Sequence, residues 1–202
     1  MGRKQNRGYK KGAPFRDYRK FVIIAEGERE DAYFLQFNSI SSRIEIIIVE
    51  RDGGKSAVKY FLERAETYSK KHGLLKDDYL WFVLDVDCWP REQINDLSIA
   101  CNQNNNWQIA ISNPCFEVWL YYHFKNKIPD EINTCKKLKN AISKFDIGGY
   151  NPKLFANQIA TASKFAKAND KHKDNNYPDI NVTKLYKLAE EMLIVLGKGW
   201  SL

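Results

Sequence analysis

Short apolar runs alternate with segments of helical periodicity along the first two-thirds of this chain. The runs are rich in Ile, Val and aromatic residues, which is typical of buried β-strands, and they cover 20–25, 43–50, 79–87 and 107–112. Between them, apolar side chains recur at intervals of three and four residues, which predicts helices. Because parallel strands need crossover connections, this order predicts an α/β fold: a mostly parallel, four-stranded, Rossmann-like sheet flanked by helices on both faces.

The last third of the chain has helical periodicity without a further strand pattern. We therefore expect a basic arm at 1–19, an α/β domain at 20–128, and a helical region at 129–202 that packs on the same domain. No run of about 18 apolar residues and no secretory signal is visible. The four cysteines have irregular spacing and are interpreted as reduced thiols. These features predict a cytoplasmic protein without a membrane span.

The excess positive charge is concentrated in the arm. Residues 1–20 hold eight basic residues and one acid, which accounts for the whole net charge of +7. This composition predicts disorder in the absence of a partner, and the interleaved aromatic residues suit a polyanion such as nucleic acid. A solubilising tail without a partner is the alternative. The basic residues that we expect to contact nucleic acid are Arg3, Lys4, Arg7, Lys10 and Lys11.

Acidic and polar residues follow three of the four predicted strands. Glu26 ends the first, Asp85 and Asp87 end the third, and Asn113 ends the fourth, with Glu117 one turn further on. The carboxyl ends of parallel strands share one edge of the sheet, where ligands bind. If the third strand continues through Asp87, its two aspartates point to the same face, about 6 to 7 Å apart. Carboxylates in this arrangement suit Mg²⁺, which takes few protein carboxylates and keeps waters or substrate phosphates.

Each of these residues also has a structural interpretation, since an aspartate at the end of a strand is common turn chemistry. Gly27 is expected to allow a tight turn between strand and helix. Asn113 and Pro114 have the properties of an N-cap and a first helical residue, so they predict the start of a helix. Glu117 would then interact with the dipole of that helix. His123, further along the same helix, is expected to pack in the core rather than to transfer a proton.

Two further segments offer cations to a phosphate. The sequence GGKS at 53–56 lacks the earlier glycine of a Walker A motif, because position 49 is valine. Lys55 is nevertheless expected at the same sheet edge as the acids and is a candidate phosphate contact. His172 lies in the basic loop KHK at 171–173, for which both a phosphate contact and a solvated loop remain open.

Four segments together resemble the RloB-like family, a Toprim-fold family related to OLD nucleases. They are EGEREDAYFLQF (26–37), WFVLDVD (81–87), ISNPCFEVWLYYHF (111–124) and PDINVTKLYKL (178–188). The third segment, which is similar to an SNPxFExWxxxHF block, is the most specific, and the resemblance covers about 20–195. The first segment departs from the family's Glu-Gly-Glu-Lys-Thr-Glu, which leaves open whether Glu30 or Asp31 faces the site.

The resemblance implies a Mg²⁺-dependent endonuclease of the Toprim type, with Mn²⁺ as an alternative metal, that cleaves RNA or DNA. Glu26 would act near the scissile phosphate as general base or metal ligand, and Asp85 and Asp87 would hold the metal. Glu30 and Glu117 complete the catalytic candidates. RloB-like proteins resemble effectors of anti-phage or restriction-associated systems that act with an ABC- or AAA-type ATPase, and a homodimer is one form such a protein could take.

Two other functions remain open at this point. One is a non-catalytic module with the same fold that binds nucleic acid or a phosphate ligand. The other is nucleotidyl transfer, as in primases, which would use the same carboxylates. The sequence offers no segment for handling a template, so nuclease activity and ligand binding are the two hypotheses that the structure has to distinguish.

Overall fold

The computed structural model describes residues 16–51, 58–146 and 149–200. The five arm residues predicted to contact nucleic acid and Lys55 lie outside the described residues. The described part contains one sheet, whose strands lie in the order β2-β1-β3-β4-β5. The strands are β1 (Arg19–Ala25), β2 (Ile44–Ile48), β3 (Tyr79–Asp85), β4 (Trp107–Asn113) and β5 (Val182–Thr183). The first four are parallel and β5 is antiparallel to β4, which confirms a mostly parallel α/β fold.

Helices connect the strands and fill most of the region after β4. They are α1 (Glu28–Leu35), α2 (Phe37–Ile40), α3 (Val58–His72), α4 (Arg91–Asn102), α5 (Glu117–Tyr121), α6 (Cys135–Ile142), α7 (Pro152–Ala156), α8 (Ile159–Asn169) and α9 (Leu185–Leu196). None of the helices in the described ranges is long and apolar enough to cross a membrane.

Each face of the sheet carries its own hydrophobic core. Successive residues of a strand point to opposite faces, so Phe21 and Ile23 enter one core while Val22 and Ile24 enter the other. Helices α3 and α4 cover the second core, and α1, α5, α8 and α9 cover the first. This division confirms the prediction of helices on both faces.

The prediction of four strands is wrong, because β5 adds a fifth strand from the C-terminal region, which otherwise holds α6 to α9. The backbone N–H of Asn181 donates to the carbonyl of Asn113 at 2.8 Å, and the hydroxyls of Ser112 and Thr183 are 2.8 Å apart. A strand of two residues has no periodicity by which the sequence could indicate it.

The predicted arm overlaps the described residues at 16–19, where the chain contacts the domain. Arg16 forms an ion pair with Asp78, which is buried, and Arg19 is the first residue of β1. Arg19 also donates from Nη1 to Glu191 at 3.1 Å. The part of the arm next to β1 is therefore held against the domain.

The prediction that Asn113 and Pro114 begin a helix is wrong. Asn113 is the last residue of β4, the peptide bond to Pro114 is cis, and α5 begins only at Glu117. The Asn113 side chain donates instead to the carbonyl of Pro178 at 2.9 Å. This bond ties the end of β4 to the segment that leads into β5.

Candidate functional site

The crevice between the carboxyl ends of β1 and β3 is a topological switch point of the sheet. The chain passes from β1 to β2 on one side and then returns across β1 to β3 on the other. At such a point the connections leave the two strands in opposite directions and open a crevice in which α/β proteins bind ligands. Strand β1 ends directly before Glu26, and β3 ends at Asp85. The two strongest sequence candidates therefore lie where this topology places a ligand.

Glu26 is bound to the neighbouring strand end. Its Oε1 accepts the backbone N–H of Asp85 at 2.9 Å and the indole N–H of Trp89. Trp89 is buried against Phe61 of α3, so its indole has a fixed position. Charged acceptors make strong hydrogen bonds, and these two hold the Glu26 carboxylate at the crevice.

Gly27 makes room for the side chain of Glu30. Its φ of −127° and ψ of 163° are extended backbone that any residue adopts, so the prediction that this position needs glycine for a tight turn is wrong. A Cβ at Gly27 would lie 2.6 Å from Oε2 of Glu30, which is far inside van der Waals contact. The glycine leaves room for the buried Glu30 carboxylate, which a larger residue would force to shift.

Glu30 and Asp85 both bind their protons more tightly than ordinary carboxyls. Burial, together with the nearby charges of Glu117, Glu26 and Asp31, raises the pKa of Glu30 to about 7. Burial and the charges of Glu30 and Glu26 raise the pKa of Asp85 well above its usual value, although the backbone N–H of Phe116 partly offsets this. The charges of Glu30 and Glu26 thus act on Asp85 in the same crevice, and a cation would offset them.

Asp87 lies outside β3, in a 3-10 turn over Val86–Cys88. Because β3 ends at Asp85, the two aspartates do not share one face of a strand, as they would if the strand continued through Asp87. Its backbone N–H donates to the carbonyl of Pro114 at 3.2 Å, and its Oδ2 accepts the thiol of Cys135 at 2.9 Å. Burial and this bond raise the pKa of Cys135 to about 12, so the thiol stays protonated and donates. Asp87 still contributes to the raised pKa of Asp85, which places it at the margin of the same site.

Glu117 joins the site from α5 and is neutralised by cations. It is buried and forms ion pairs with Arg29 of α1 and, at 3.9 Å, with Nζ of Lys139 of α6. The Arg29 guanidinium also lies 5.3 Å from the ring centre of Tyr150. Because Glu117 raises the pKa of Glu30, it belongs to the same group of carboxylates. We call Glu26, Glu30, Asp85, Asp87 and Glu117 the carboxylate cluster.

Of the two adjacent acids of α1, Glu30 is the one inside the cluster. Asp31 instead forms an ion pair with Arg51 at 2.6 Å, and Arg51 also donates to the carbonyl of Gly27 at 3.2 Å. We therefore assign Glu30 to the cluster, while Asp31 is a neighbour that is paired with Arg51 and whose charge also raises the pKa of Glu30.

The two candidate histidines lie outside the cluster. His123 is buried, and its Nδ1–H donates to the carbonyl of Trp119 at 2.9 Å, which leaves Nε2 to accept the hydroxyl of Tyr33 at 3.0 Å. Burial lowers the pKa of His123 to about 3, so it is a neutral core residue, as predicted. His172 is exposed and pairs with Asp179 at 2.8 Å.

The carboxylate cluster fits a divalent cation in its donor chemistry and its electrostatics. Oxygen donors suit Mg²⁺, and the burial and neighbouring negative charges that raise the pKa of Asp85 and Glu30 are both offset by a cation. Within the described residues, however, no three His, Cys, Asp or Glu side chains are grouped so that they could hold a metal ion together. This suits an ion that takes one or two carboxylates and completes its shell with water and substrate.

Sequence reasoning missed four residues that contact the carboxylate cluster, namely Arg29, Trp89, Cys135 and Lys139. Arg29 and Trp89 stand close to predicted site residues in the sequence, but only the fold shows what they bind. Cys135 and Lys139 come from α6, which the sequence did not indicate as a separate element. Their contacts with Asp87 and Glu117 span sequence separations that no local pattern reports.

Comparison with known proteins identifies one family. The model of the family described as RloB-like protein matches residues 21–192, which include the whole carboxylate cluster and α6. No curated protein and no solved structure matches the chain.

Proposed function

This chain belongs to the RloB-like protein family, and we propose that it is a metal-dependent nuclease of the Toprim type that cleaves phosphodiester bonds in RNA or DNA. One observation carries the proposal. The carboxylate cluster lies at the switch point between β1 and β3, where burial and the charges of neighbouring carboxylates raise the pKa of Glu30 and of Asp85. Burying carboxylates beside one another gains a fold nothing in stability, whereas a site for a cation and a phosphate does use it.

Glu26 and Asp85 would hold Mg²⁺, with Asp87 at the margin of the site, and Mn²⁺ would substitute for it. When bound, the ion supplies a Lewis acid for the phosphoryl oxygens and lowers the pKa of a water molecule. The contribution of the chain is orientation. Hydrogen bonds from Asp85 N–H and the Trp89 indole fix the Glu26 carboxylate, and the backbone N–H of Phe116 donates to the half-buried Asp85 carboxylate.

Glu30 is the candidate for moving a proton. A carboxyl with a pKa of about 7 is partly protonated at neutral pH and so can both accept and donate. Arg29, at the exposed side of the cluster, is the candidate for contacting the phosphate itself. Its guanidinium is partly exposed while paired with Glu117, and a planar guanidinium matches two phosphate oxygens.

The proposed biological setting is that of an effector in an anti-phage or restriction-associated system, acting in the cytoplasm with an ABC- or AAA-type ATPase encoded nearby. The sequence contains no Walker A motif, so nucleotide hydrolysis would come from such a partner. Co-expression with the neighbouring ATPase gene, followed by purification of a tagged chain, tests the association. Toxicity in cells that requires both genes and Asp85 would support it.

A non-catalytic module that binds nucleic acid or a phosphate ligand is the second candidate, and one observation favours it. Glu26 already accepts two hydrogen bonds within the protein, so part of its role is structural. A module of this kind would bind the same polyanion without cleaving it.

The deciding experiment is a cleavage assay on labelled RNA and DNA, with Mg²⁺, Mn²⁺ or EDTA, and with and without the ATPase partner. Asp85→Asn is compared with Asp77→Asn, because Asp77 is an exposed acid next to the opposite end of the same strand. We expect metal-dependent cleavage that falls at least about a hundredfold in Asp85→Asn and is unchanged in Asp77→Asn. Binding without cleavage under every condition would favour the second candidate, and equal activity of the two variants would exclude the site.

A further inference from the structure

We propose that helix α6 carries a phosphate-binding surface, the lysine face, formed by Lys136 and Lys139, and that it holds a nucleic-acid backbone beside the carboxylate cluster. The inference rests on the proposed function for the identity of the polyanion. It adds a binding surface that lies in the folded domain, apart from the N-terminal arm.

The burial pattern of α6 defines the lysine face. Leu138 and Ile142 are buried and anchor one side of the helix, whereas Lys136 and Lys139 are exposed on the other. Residues three apart in a helix are neighbours on its surface, so Lys136 and Lys139 can offer their ammonium groups to the same ligand. Lys137 is turned away to the carbonyl of Glu131 at 2.8 Å.

Lysines on a solvated helix face are common, and the position of this helix is what distinguishes it. Its first residue, Cys135, donates its thiol to Asp87, and Nζ of Lys139 lies 3.9 Å from Oε1 of Glu117. Both contacts are with the carboxylate cluster. The Lys139 side of the lysine face therefore lies at the margin of the proposed active site.

Lys139 is free enough to exchange partners. Its side chain is 56% exposed, and its distance to Glu117 is at the long limit of an ion pair. Lys139 is the more exposed and the more distant of the two cations that pair with Glu117, so a phosphate can replace this contact. Glu117 keeps its closer pairing with Arg29 when Lys139 turns to a ligand.

The negative charge of the cluster favours such a surface. Arg29 and Lys139 offset the charge of Glu117, and the raised pKa values of Glu30 and Asp85 reduce theirs, but the charge that remains repels an approaching phosphate. The segment 125–145, which contains α6, carries a net positive charge, since it contains six lysines and two acids. A polyanion is therefore attracted to the rim and held there by α6 while one phosphate reaches the carboxylates.

An acidic protein segment would be attracted by the same charge, and the experiment separates the two. Binding is measured by fluorescence anisotropy in EDTA, so that cleavage does not intervene, with a mixed-sequence RNA and the DNA of the same sequence, single-stranded and duplex. Poly-glutamate is the competing probe. The full-length chain with Lys136→Gln and Lys139→Gln is compared with Lys70→Gln and Lys71→Gln, which remove the same charge at the end of α3, on the opposite edge of the sheet.

We expect the α6 double variant to bind nucleic acid about tenfold more weakly at about 0.1 M salt, with a salt slope smaller by about two. The α3 control should bind as the parent does, and replacing both α6 lysines by arginine should retain binding. Circular dichroism and the midpoint of urea unfolding confirm that each variant is folded.

Three results would overturn the inference: no binding of any probe by the parent chain, equal losses in the α6 and α3 variants, or displacement of nucleic acid by poly-glutamate at equal charge concentration. Failure of the proposed function has a different signature. In that case the α6 variant loses binding, but the parent never cleaves nucleic acid. If cleavage instead requires Asp85 but not Lys136 and Lys139, only the inference about the lysine face is contradicted.

Discussion

The carboxylate of Glu26 accepts the backbone N–H of Asp85 at 2.9 Å, across the gap between the ends of β1 and β3. The same oxygen accepts the indole N–H of Trp89. Glu26 thus has two separable properties: it holds two strand ends together, and it adds a negative charge to the carboxylate cluster. Mutations can separate them.

Glu26→Gln keeps an oxygen that can accept both hydrogen bonds but removes the charge, so we expect a stable protein without metal-dependent cleavage. Glu26→Ala also leaves two buried donors without their acceptor, which should lower the free energy of unfolding by about 1 to 3 kcal/mol. Urea unfolding and the cleavage assay measure the two effects. Full activity of Glu26→Gln would show that Glu26 is only structural.

The raised pKa of Glu30 makes stability depend on pH. Between about pH 4.5 and 7, the unfolded chain releases this proton while the folded protein keeps it, so the free energy of unfolding falls as the pH rises through this window. The total loss is about 3 kcal/mol, and it is absent at low pH, where the group is protonated in both states. Glu30→Gln should therefore match the parent at pH 4 and exceed it in stability at pH 8. Parallel stability curves for the two proteins would contradict the burial of an ionisable Glu30.

Gly27→Ala tests whether that position serves Glu30. The added methyl would lie 2.6 Å from Oε2 of Glu30, so the carboxylate must move, and we expect a loss of about 1 to 3 kcal/mol in the free energy of unfolding. The decline in stability between pH 4.5 and 7 should also become shallower, because Glu30 is then less buried. Gly199→Ala is the control, since a methyl there meets no atom within 4 Å. If Gly27→Ala had the same stability and the same pH dependence as the parent, the packing of Glu30 against Gly27 would be contradicted.

The segment beside β5 is held by a buried ion pair. Nζ of Lys184 donates to Asp170 at 2.6 Å and to the carbonyl of His172 at 2.7 Å, and Tyr186 donates to the same carboxylate. Burial would raise the pKa of Asp170, but the hydrogen bonds from Lys184 and Tyr186 outweigh it and lower that pKa.

Lys184→Met leaves the Asp170 carboxylate buried without its cation, which should cost about 3 to 5 kcal/mol in the free energy of unfolding. Lys167→Met removes one partner of the half-exposed pair with Glu190 and should cost less than about 1 kcal/mol. Both values come from urea unfolding at neutral pH. Equal costs in the two variants would mean that the buried pair has no special role.

The sequence predicted the first four strands, because buried parallel strands are continuous apolar runs. It also predicted that Glu26 and Asp85 lie at the same edge of the sheet, because the carboxyl ends of parallel strands meet there. It extended β3 through Asp87 because an acid after an apolar run suits both a strand and a turn. In the structure, Asp87 lies in a turn and is hydrogen-bonded to the carbonyl of Pro114 and to the thiol of Cys135, both of which are distant in sequence. Contacts of that range, like the two-residue β5, have no local signature.

The most direct test of the account is a crystal structure of the protein grown with Mn²⁺, with anomalous scattering recorded at the manganese edge. We predict a peak in the crevice between β1 and β3, at about 2.1 Å from a carboxylate oxygen of Asp85, with Glu26 or Asp87 as a further ligand or through water. The Asp85→Asn crystal should lack that peak. A strong peak elsewhere, or an empty crevice at saturating Mn²⁺, would contradict the assignment of the carboxylate cluster as a metal site.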